Sequence, residues 1–481
     1  MKHLLVSTIF LGFLFSSVIS YSQTNDTSSA NQLLKNRGEV YFRARLKNRE
    51  ELDTICTMVS VDDFRDGCIY AYANRQEWIN FLKMNKDFEL LTPPSMLLNI
   101  NELNMGNVNK EDDPLTTWNF YPTYQQYLDF MTGFATAYPT ICKVDTIGTT
   151  VQGRLILAVK ISDSVQFELG KPRFLYTSSI HGDELTGYVL MLHLIDYLLS
   201  GYGSDQRITS MLNNTEIWIN PLANPDGTYH GGNNTVFGAT RFNANNIDLN
   251  RNFPDPAAGP HPDGNSWQQE TVNFMSFADT NHFVQSMNFH GGSQVFNYPW
   301  DTWAKLHPDN SWFNYLGREW ADTVHKYAPS GYMTDMDNGV TNGYAWYRIT
   351  GGRQDYMTYF QYGREVTLEI STIKTPSASQ LPNYWNYNYH SFLNYIEQAE
   401  YGINGQITDT ITGEPLSAKV TITTHDFDNS QVYSYLPSGC YFRPVYTGNY
   451  KLNFTAAGYF PKIFTNVGST NLSTTRLNVQ M

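Results

Sequence analysis

Apolar and polar positions divide the chain into three stretches of different period. Between Tyr121 and Ala399, short apolar runs at 155–161, 173–178, 216–219, 284–289 and 365–370 suit strands buried on both faces. Segments of helical period at 187–199, 311–327 and 385–399 separate them. The pattern predicts an α/β unit, a mixed sheet covered by helices, with functional residues near strand ends. Residues 402–481 change character: they are rich in Thr and Val, with short alternating runs at 419–423, 450–454 and 476–481 between turn signals. This predicts an all-β sandwich of about seven strands. Ahead of the large unit, 39–46 reads as a strand, 49–59 as a helix, 68–73 as a strand, 75–84 as a helix and 88–91 as extended, closed by Pro93-Pro94. The polar stretches 23–38 and 101–114 read as linkers.

Length and composition narrow the class. A chain of 481 residues holds two or three domains. Lys2 and His3, an apolar run at 4–18 and small residues at 18–22 predict a signal peptide over 1–22. The run is too short for a transmembrane anchor, so the mature protein is expected to be exported, to a periplasmic or extracellular space, and soluble. The resulting division is 1–22 signal peptide, 23–97 small α/β unit, 98–116 linker, 117–400 large α/β domain and 402–481 β-sandwich. The small unit is either a prosegment or a docked accessory domain; its place between signal peptide and large domain favours a prosegment. A net charge of −13 argues against nucleic acid as a partner. Four cysteines without a CxxC exclude a thiolate zinc site, and Cys56 and Cys68 are near enough in sequence to pair. Asn-x-Ser/Thr triplets begin at Asn213, Asn233, Asn453 and Asn471.

Chemistry concentrates in the large unit. His181 and Glu184, three residues apart between a strand and a helix, supply two ligands of an open zinc site. His290, ending the apolar run at 284–289, is the candidate third ligand, leaving a position for water. Glu369 stands between Leu368 and Ile370 in a buried strand, where burial should raise its pKa towards that of a useful base. Asn250 and Arg251 are adjacent amide and guanidinium groups suited to a carboxylate, and Arg241 is a second guanidinium able to polarise a carbonyl.

These residues lie in motifs that closely resemble the zinc metallocarboxypeptidases of the M14 family, in particular their regulatory (N/E) subfamily. The motifs are His181-Gly-Asp-Glu184, Asn220-Pro-Leu-Ala-Asn-Pro-Asp-Gly227, Asp248-Leu-Asn-Arg-Asn-Phe-Pro-Asp255 and His290-Gly-Gly292. Thr341-Asn-Gly-Tyr-Ala-Trp-Tyr347, Gly351-Gly-Arg-Gln-Asp355 and Glu365-Val-Thr-Leu-Glu369 complete the set. The resemblance implies a carboxypeptidase-like mixed sheet followed by a transthyretin-like sandwich. It implies one Zn2+ per chain on His181, Glu184 and His290, with Glu369 as base then acid in the attack of zinc-bound water. Arg241 would act on the carbonyl oxygen, Asn250 and Arg251 would hold the substrate's C-terminal carboxylate, and Tyr347 would close over the bound residue. The product is one C-terminal amino acid.

Counting without gaps from His290 reaches Asp301, which in relatives preferring Lys or Arg lines the side-chain pocket; Gln354 fills the companion position. The partners implied are peptide or protein C-termini ending in a basic residue. Asp301 as a cap for a helix starting at Thr302 is the competing reading. Two other functions stay open: a zinc peptidase acting on cell-wall peptides with a cationic diamino-acid end, and a non-catalytic C-terminus-binding module. The second would be expected to lack a ligand or the base, and this chain has both. Asp183 departs from the subfamily, which commonly carries Asn there.

Overall fold

A computed structural model describes residues 27–106 and 117–481; the expected signal peptide and much of the expected linker lie outside the described residues. The centre is an eight-stranded mixed sheet. Its strands are β5 (Cys142–Thr149), β6 (Leu155–Ile161), β7 (Arg173–Ser178), β8 (Glu216–Asn220), β9 (Gln285–His290), β10 (Gln294–Tyr298), β11 (Val340–Asn342) and β12 (Arg364–Ile370). They lie in the order β11-β10-β12-β9-β7-β8-β6-β5, and β8, β7, β9 and β12 run parallel to one another. Short apolar strands of this kind must be covered on both faces. Helices α4 (Tyr124–Ala137), α5 (Thr186–Gly201), α8 (Asn310–Tyr327) and α10 (Leu381–Glu397) pack with one face of the sheet in a single apolar core. Helix α5 is interior: eleven of its sixteen residues are buried, which is why its sequence is apolar almost all round. Helix α6 (Gln206–Asn214) joins that core, whereas α7 (Gln269–Asn281) and α9 (Arg353–Tyr359) cover the other face, where Phe274, Phe277 and Met357 share a core with Leu175 and Trp218. Three strands, β5, β10 and β11, were not legible from periodicity, because they are short or only half-buried.

The N-terminal unit is a split βαβ arrangement. Strands β1 (Val40–Arg45), β2 (Ser60–Arg65), β3 (Cys68–Ala73) and β4 (Glu89–Leu91) form an antiparallel sheet in the order β2-β3-β1-β4. Helices α2 (Arg49–Ile55) and α3 (Arg75–Leu82) share a core with Val40, Phe42, Ile69 and Ala71. Alternation sends Tyr41 and Tyr72 to the opposite face, where they meet Phe242 of the large unit. Two expectations fail here. Residues 27–37 are not linker but helix α1 (Thr27–Arg37), held because Ala30 and Leu34 are buried and Arg37 donates to Gly238 O, Ala239 O and Ser95 Oγ. Those partners lie far along the chain, so local polarity misleads. Cys56 and Cys68 are both free thiols. Cys56 belongs to the helix-side core, whereas Cys68 shares the strand parity of Tyr70 and Tyr72, which face the other way. Burial pushes the Cys56 thiol up to about 12.

The C-terminal residues form two four-stranded sheets, β16-β13-β19 with β20 beside β13, and β15-β14-β17-β18. The strands are β13 (Gly402–Thr408), β14 (Lys419–Ile422), β15 (Val432–Tyr433), β16 (Cys440–Arg443), β17 (Gly448–Thr455), β18 (Lys462–Ser469), β19 (Thr474–Arg476) and β20 (Val479–Gln480). A buried ion cluster ties them to the large unit. Asp309 receives Arg364 at 2.8 Å and Arg443 at 3.0 Å, and Arg443 also reaches Asp426 at 2.7 Å. Burial alone would raise Asp309, but the two guanidinium groups hold it well below the usual carboxylate range. Removing one partner of a buried pair strands the others, so Arg443→Met is expected to lower unfolding free energy by about 3–5 kcal/mol. Urea unfolding followed by tryptophan fluorescence checks it. Because the folded pKa of Asp309 is depressed, the cluster stabilises above pH ~4 and fades as pH falls further; the variant, which keeps only the Arg364 guanidinium on Asp309, should show less of that acid sensitivity.

Candidate active site

Parallel strands put the chemistry at their C-terminal ends, where open α/β sheets leave a crevice. His290 is the last residue of β9, and the β9–β12 register sets Glu369 directly beside it. The chain leaves β7 through Ser179, whose positive φ and Oγ contact to Glu184 O at 2.6 Å curl the following residues into a loop before α5. At Gly182 the loop presses against another backbone: a Cβ would lie 2.4 Å from the Gly227 carbonyl carbon, so only glycine fits. His181 and Glu184 are thereby turned towards His290.

The ligand-bearing atoms of His181, Glu184 and His290 lie within 4.8 Å of one another, all buried. The His181 and His290 Nδ1 atoms are 3.0 Å apart, and the Glu184 carboxylate meets them at 3.0 and 2.8 Å. The outer nitrogens are fixed: His181 Nε2 lies 3.1 Å from Asp248 Oδ1, and His290 Nε2 lies 2.8 Å from the Asn288 side-chain amide. Such outer contacts orient ligating imidazoles. Burial holds His290 down, to about 4, so it is neutral and free to ligate near neutral pH. For Glu184, burial favours the neutral acid, but His181, Lys374 and His290 outweigh it and hold the carboxylate well below its usual range. Two imidazole nitrogens and a carboxylate facing one point fit a zinc ion with an open position.

Glu369 is buried, and its Oε2 has no hydrogen-bond partner. Burial, then repulsion from Glu184 and Asp62, raise its pKa well above the usual value. Arg241 donates from Nε to Asp248 Oδ2 at 3.0 Å and reaches Glu184 Oε1 at 3.4 Å through Nη1. Asn250, Arg251 and Tyr347 line the same cavity, as do the three ligand candidates, Glu369 and Asp301. Asn250 Oδ1 accepts from Arg353 N, and Arg251 donates to its neighbour's carbonyl.

Asp301 does not cap a helix: residues 302–307 are bends and irregular backbone, and Asp355 accepts the backbone N–H groups of Asp301 and Thr302. Its own carboxylate lines the cavity and receives Gln354 Nε2 at 2.9 Å and Asn297 Nδ2 at 3.3 Å. Among the described residues it forms no ion pair, and burial raises it to about 7. The side-chain oxygens of Gln354 and Asn297 are themselves unpartnered.

Three residues escaped the sequence reading. Asp248 orients His181 and Arg241 together. Lys374, in the loop after β12, touches Glu184. Asp62 enters from the N-terminal unit, where a register shift between Val61 and Asp63 leaves it out of the β2–β3 ladder and turns it into the cavity. Its Oδ1 lies 2.9 Å from Arg241 Nη1 and 2.6 Å from Lys374 Nζ. No periodic signal marks a bulge or a loop lysine. Asp183 also faces this unit, accepting from Tyr72 OH at 2.8 Å.

A model of the zinc carboxypeptidase family (Peptidase_M14) matches residues 127–391. Carboxypeptidase D of Mus musculus is 35% identical over 350 residues, 69% of this chain but 25% of the relative. Carboxypeptidase M of Mus musculus is 34% identical over 344 residues, 69% of this chain and 76% of the relative. The chain thus spans about a quarter of the length of its carboxypeptidase D relatives. Among solved structures, carboxypeptidase A from Helicoverpa armigera superposes with a TM-score of 0.59 at 18% identity, covering 76% of this chain and 98% of that one. The fold, the three-ligand cluster and these matches agree on one metal-binding scaffold. The chain belongs to the zinc carboxypeptidase family, with zinc as its cofactor.

Proposed function

We propose that this protein is an exported zinc carboxypeptidase that releases C-terminal Lys or Arg from peptides or proteins. The carrying observation is the group around Asp301, whose carboxylate, with the unpartnered oxygens of Gln354 and Asn297, offers acceptors without a cation. An ammonium or guanidinium is all donors and no acceptor, so it complements that set; an apolar side chain would leave the charge stranded.

Zinc on His181, Glu184 and His290 would supply a Lewis acid that acidifies a water. The remaining work falls to side chains. Asn250 and Arg251 would hold the free C-terminal carboxylate, placing the last peptide bond over the ligands. Arg241 would take the charge developing on the carbonyl oxygen. Glu369 would remove the attacking water's proton and deliver it to the leaving nitrogen. Tyr347 would shield the bound residue.

The N-terminal unit, 23–97, is read as a prosegment joined through 98–116 to a catalytic domain at 117–400, with 1–22 directing export and 402–481 as a supporting sandwich. Support comes from what β2 does: Val61 O accepts from Arg251 Nη2 at 2.9 Å while Asp62 occupies Arg241. The cation assigned to the substrate's carboxylate and the one assigned to its carbonyl oxygen are thus both engaged. Arg49 adds contacts to the carbonyls of Tyr344, Ala345 and Trp346 beside Tyr347. No helix among the described residues is long and apolar enough to cross a membrane.

The test uses full-length protein carrying a site-specific protease sequence inserted within 107–116, before and after cutting. Blocked dipeptides ending in Arg, Lys, Phe or a diaminopimelate-like residue are supplied with and without a zinc chelator. Expected is chelator-sensitive release of Arg and Lys, at least about tenfold faster after cutting. Equal rates before and after would remove the prosegment; release of the cell-wall mimic alone would transfer the activity to cell-wall peptides. No turnover with stoichiometric zinc would leave a binding module.

A further inference from the structure

Lys374 has no role in the reaction as described, yet its surroundings hold it in place. It is 2% exposed. Its carbonyl accepts from Leu185 N at 2.7 Å, tying the loop after β12 to the start of α5. On the other side it passes the Gly291-Gly292 pair; a Cβ on Gly292, whose φ is +126°, would stand 3.5 Å from Lys374 Cε. The side chain is led along this channel to the ligand cluster, with Nζ 2.8 Å from Glu184 Oε1.

The informative contact is the one it shares. Asp62 Oδ1 is a single oxygen approached by Lys374 Nζ at 2.6 Å and by Arg241 Nη1 at 2.9 Å. These cations come from different loops, and converge on one atom rather than forking across two oxygens as a guanidinium does with a carboxylate. Two donors aimed at one oxygen suit a negative charge localised on one atom. Asp62 belongs to the unit read as a removable prosegment, so its departure opens that position to substrate. Arg241 is already placed to act on the scissile carbonyl oxygen, and whatever shares its target shares its task.

We infer that Lys374 is a catalytic residue, a second hydrogen-bond donor that holds the scissile carbonyl oxygen together with Arg241 as that oxygen becomes an oxyanion. The inference rests on the peptidase reading of the site. As the water oxygen bonds to the carbonyl carbon, the C=O π pair moves onto this oxygen and the water's proton passes to Glu369. The new charge lies between the two cations. When the C–N bond breaks, the pair returns to re-form C=O, and the leaving nitrogen takes the proton from Glu369.

The test compares wild type, Lys374→Met and Lys374→Arg as cut full-length protein. Zinc content, kcat and KM on an Arg-terminated dipeptide are measured. Calorimetry adds the affinities for free arginine and for a phosphonate whose tetrahedral oxygens replace the scissile carbonyl. Lys374→Met should lower kcat about 100-fold and weaken the phosphonate by a similar factor, while KM and arginine affinity move less than about threefold. Zinc stays stoichiometric, and Lys374→Arg recovers much of the loss. Phosphonate affinity and kcat within about threefold of wild type would overturn the inference, leaving Lys374 a docking partner for Asp62. A loss that follows zinc loss would overturn it too, assigning Lys374 to holding Glu184. If wild type itself fails to turn over, the peptidase reading fails separately, and the phosphonate comparison still decides Lys374.

Discussion

Glu369→Gln should lower kcat by about 10³-fold or more, with KM nearly unchanged and zinc still bound. The substitution keeps the shape of a residue near the end of β12 that is still paired on both sides, with His290 of β9 and Val295 of β10, so the sheet has no reason to rearrange. What changes is the ability to accept a proton. In the structure Glu369 stands in register with His290, and its Oε2 is free of any partner, so nothing else in the protein competes for that oxygen. Burial and the neighbouring acids Glu184 and Asp62 make the carboxylate more basic than an exposed glutamate, which suits a group that must take a proton and then return it. Steady-state kinetics with an Arg-terminated dipeptide and metal analysis of the same sample check the result. Activity within tenfold of wild type, with zinc retained, would place the base elsewhere.

Asp301→Asn should lower kcat/KM for Arg-terminated peptides by about 10³-fold while leaving Phe-terminated ones unchanged or faster. The amide keeps the size of the side chain and its contacts with Gln354 and Asn297, but removes the countercharge for a guanidinium. A pH dependence accompanies it. Burial raises Asp301 to about 7, so below that pH the carboxyl is protonated and must lose its proton before a cation can pair with it. The ratio of kcat/KM for Arg over Phe substrates should therefore fall about tenfold for each pH unit below ~7 and level off above it. Taking the ratio cancels the titration of Glu369 and of the zinc site, common to both substrates. In the variant the ratio should be flat, and a wild-type ratio flat from pH 5 to 8 would remove Asp301 from specificity.

Much of this was legible before the fold was known. Zinc-ligand candidates are readable because His181 and Glu184 sit on one local turn, whose geometry depends on a few neighbouring residues. The apolar runs that became β7, β8, β9 and β12 are readable because a strand buried on both faces has little choice of composition. Asp301 was reached by counting along an ungapped stretch. What escaped depends on residues far apart in sequence. Helix α1 looks like a polar linker until Gly238 and Ala239 supply carbonyls for Arg37. The Cys56–Cys68 pairing fails on strand parity, which assigns the two thiols to opposite sides of a sheet.

The sequence by itself determined the family resemblance, the candidate metal ligands and the alternation of strands and helices, because spacing and period are local properties of a chain. Only the tertiary structure decided that a bulge in β2 carries Asp62 onto Arg241, that Lys374 shares its oxygen, and that Asp301 lies buried without a cation. Each of these is a meeting of groups separated by tens to hundreds of residues. Such meetings are set by how whole layers pack, and packing is decided by the sum of many weak contacts rather than by any local pattern.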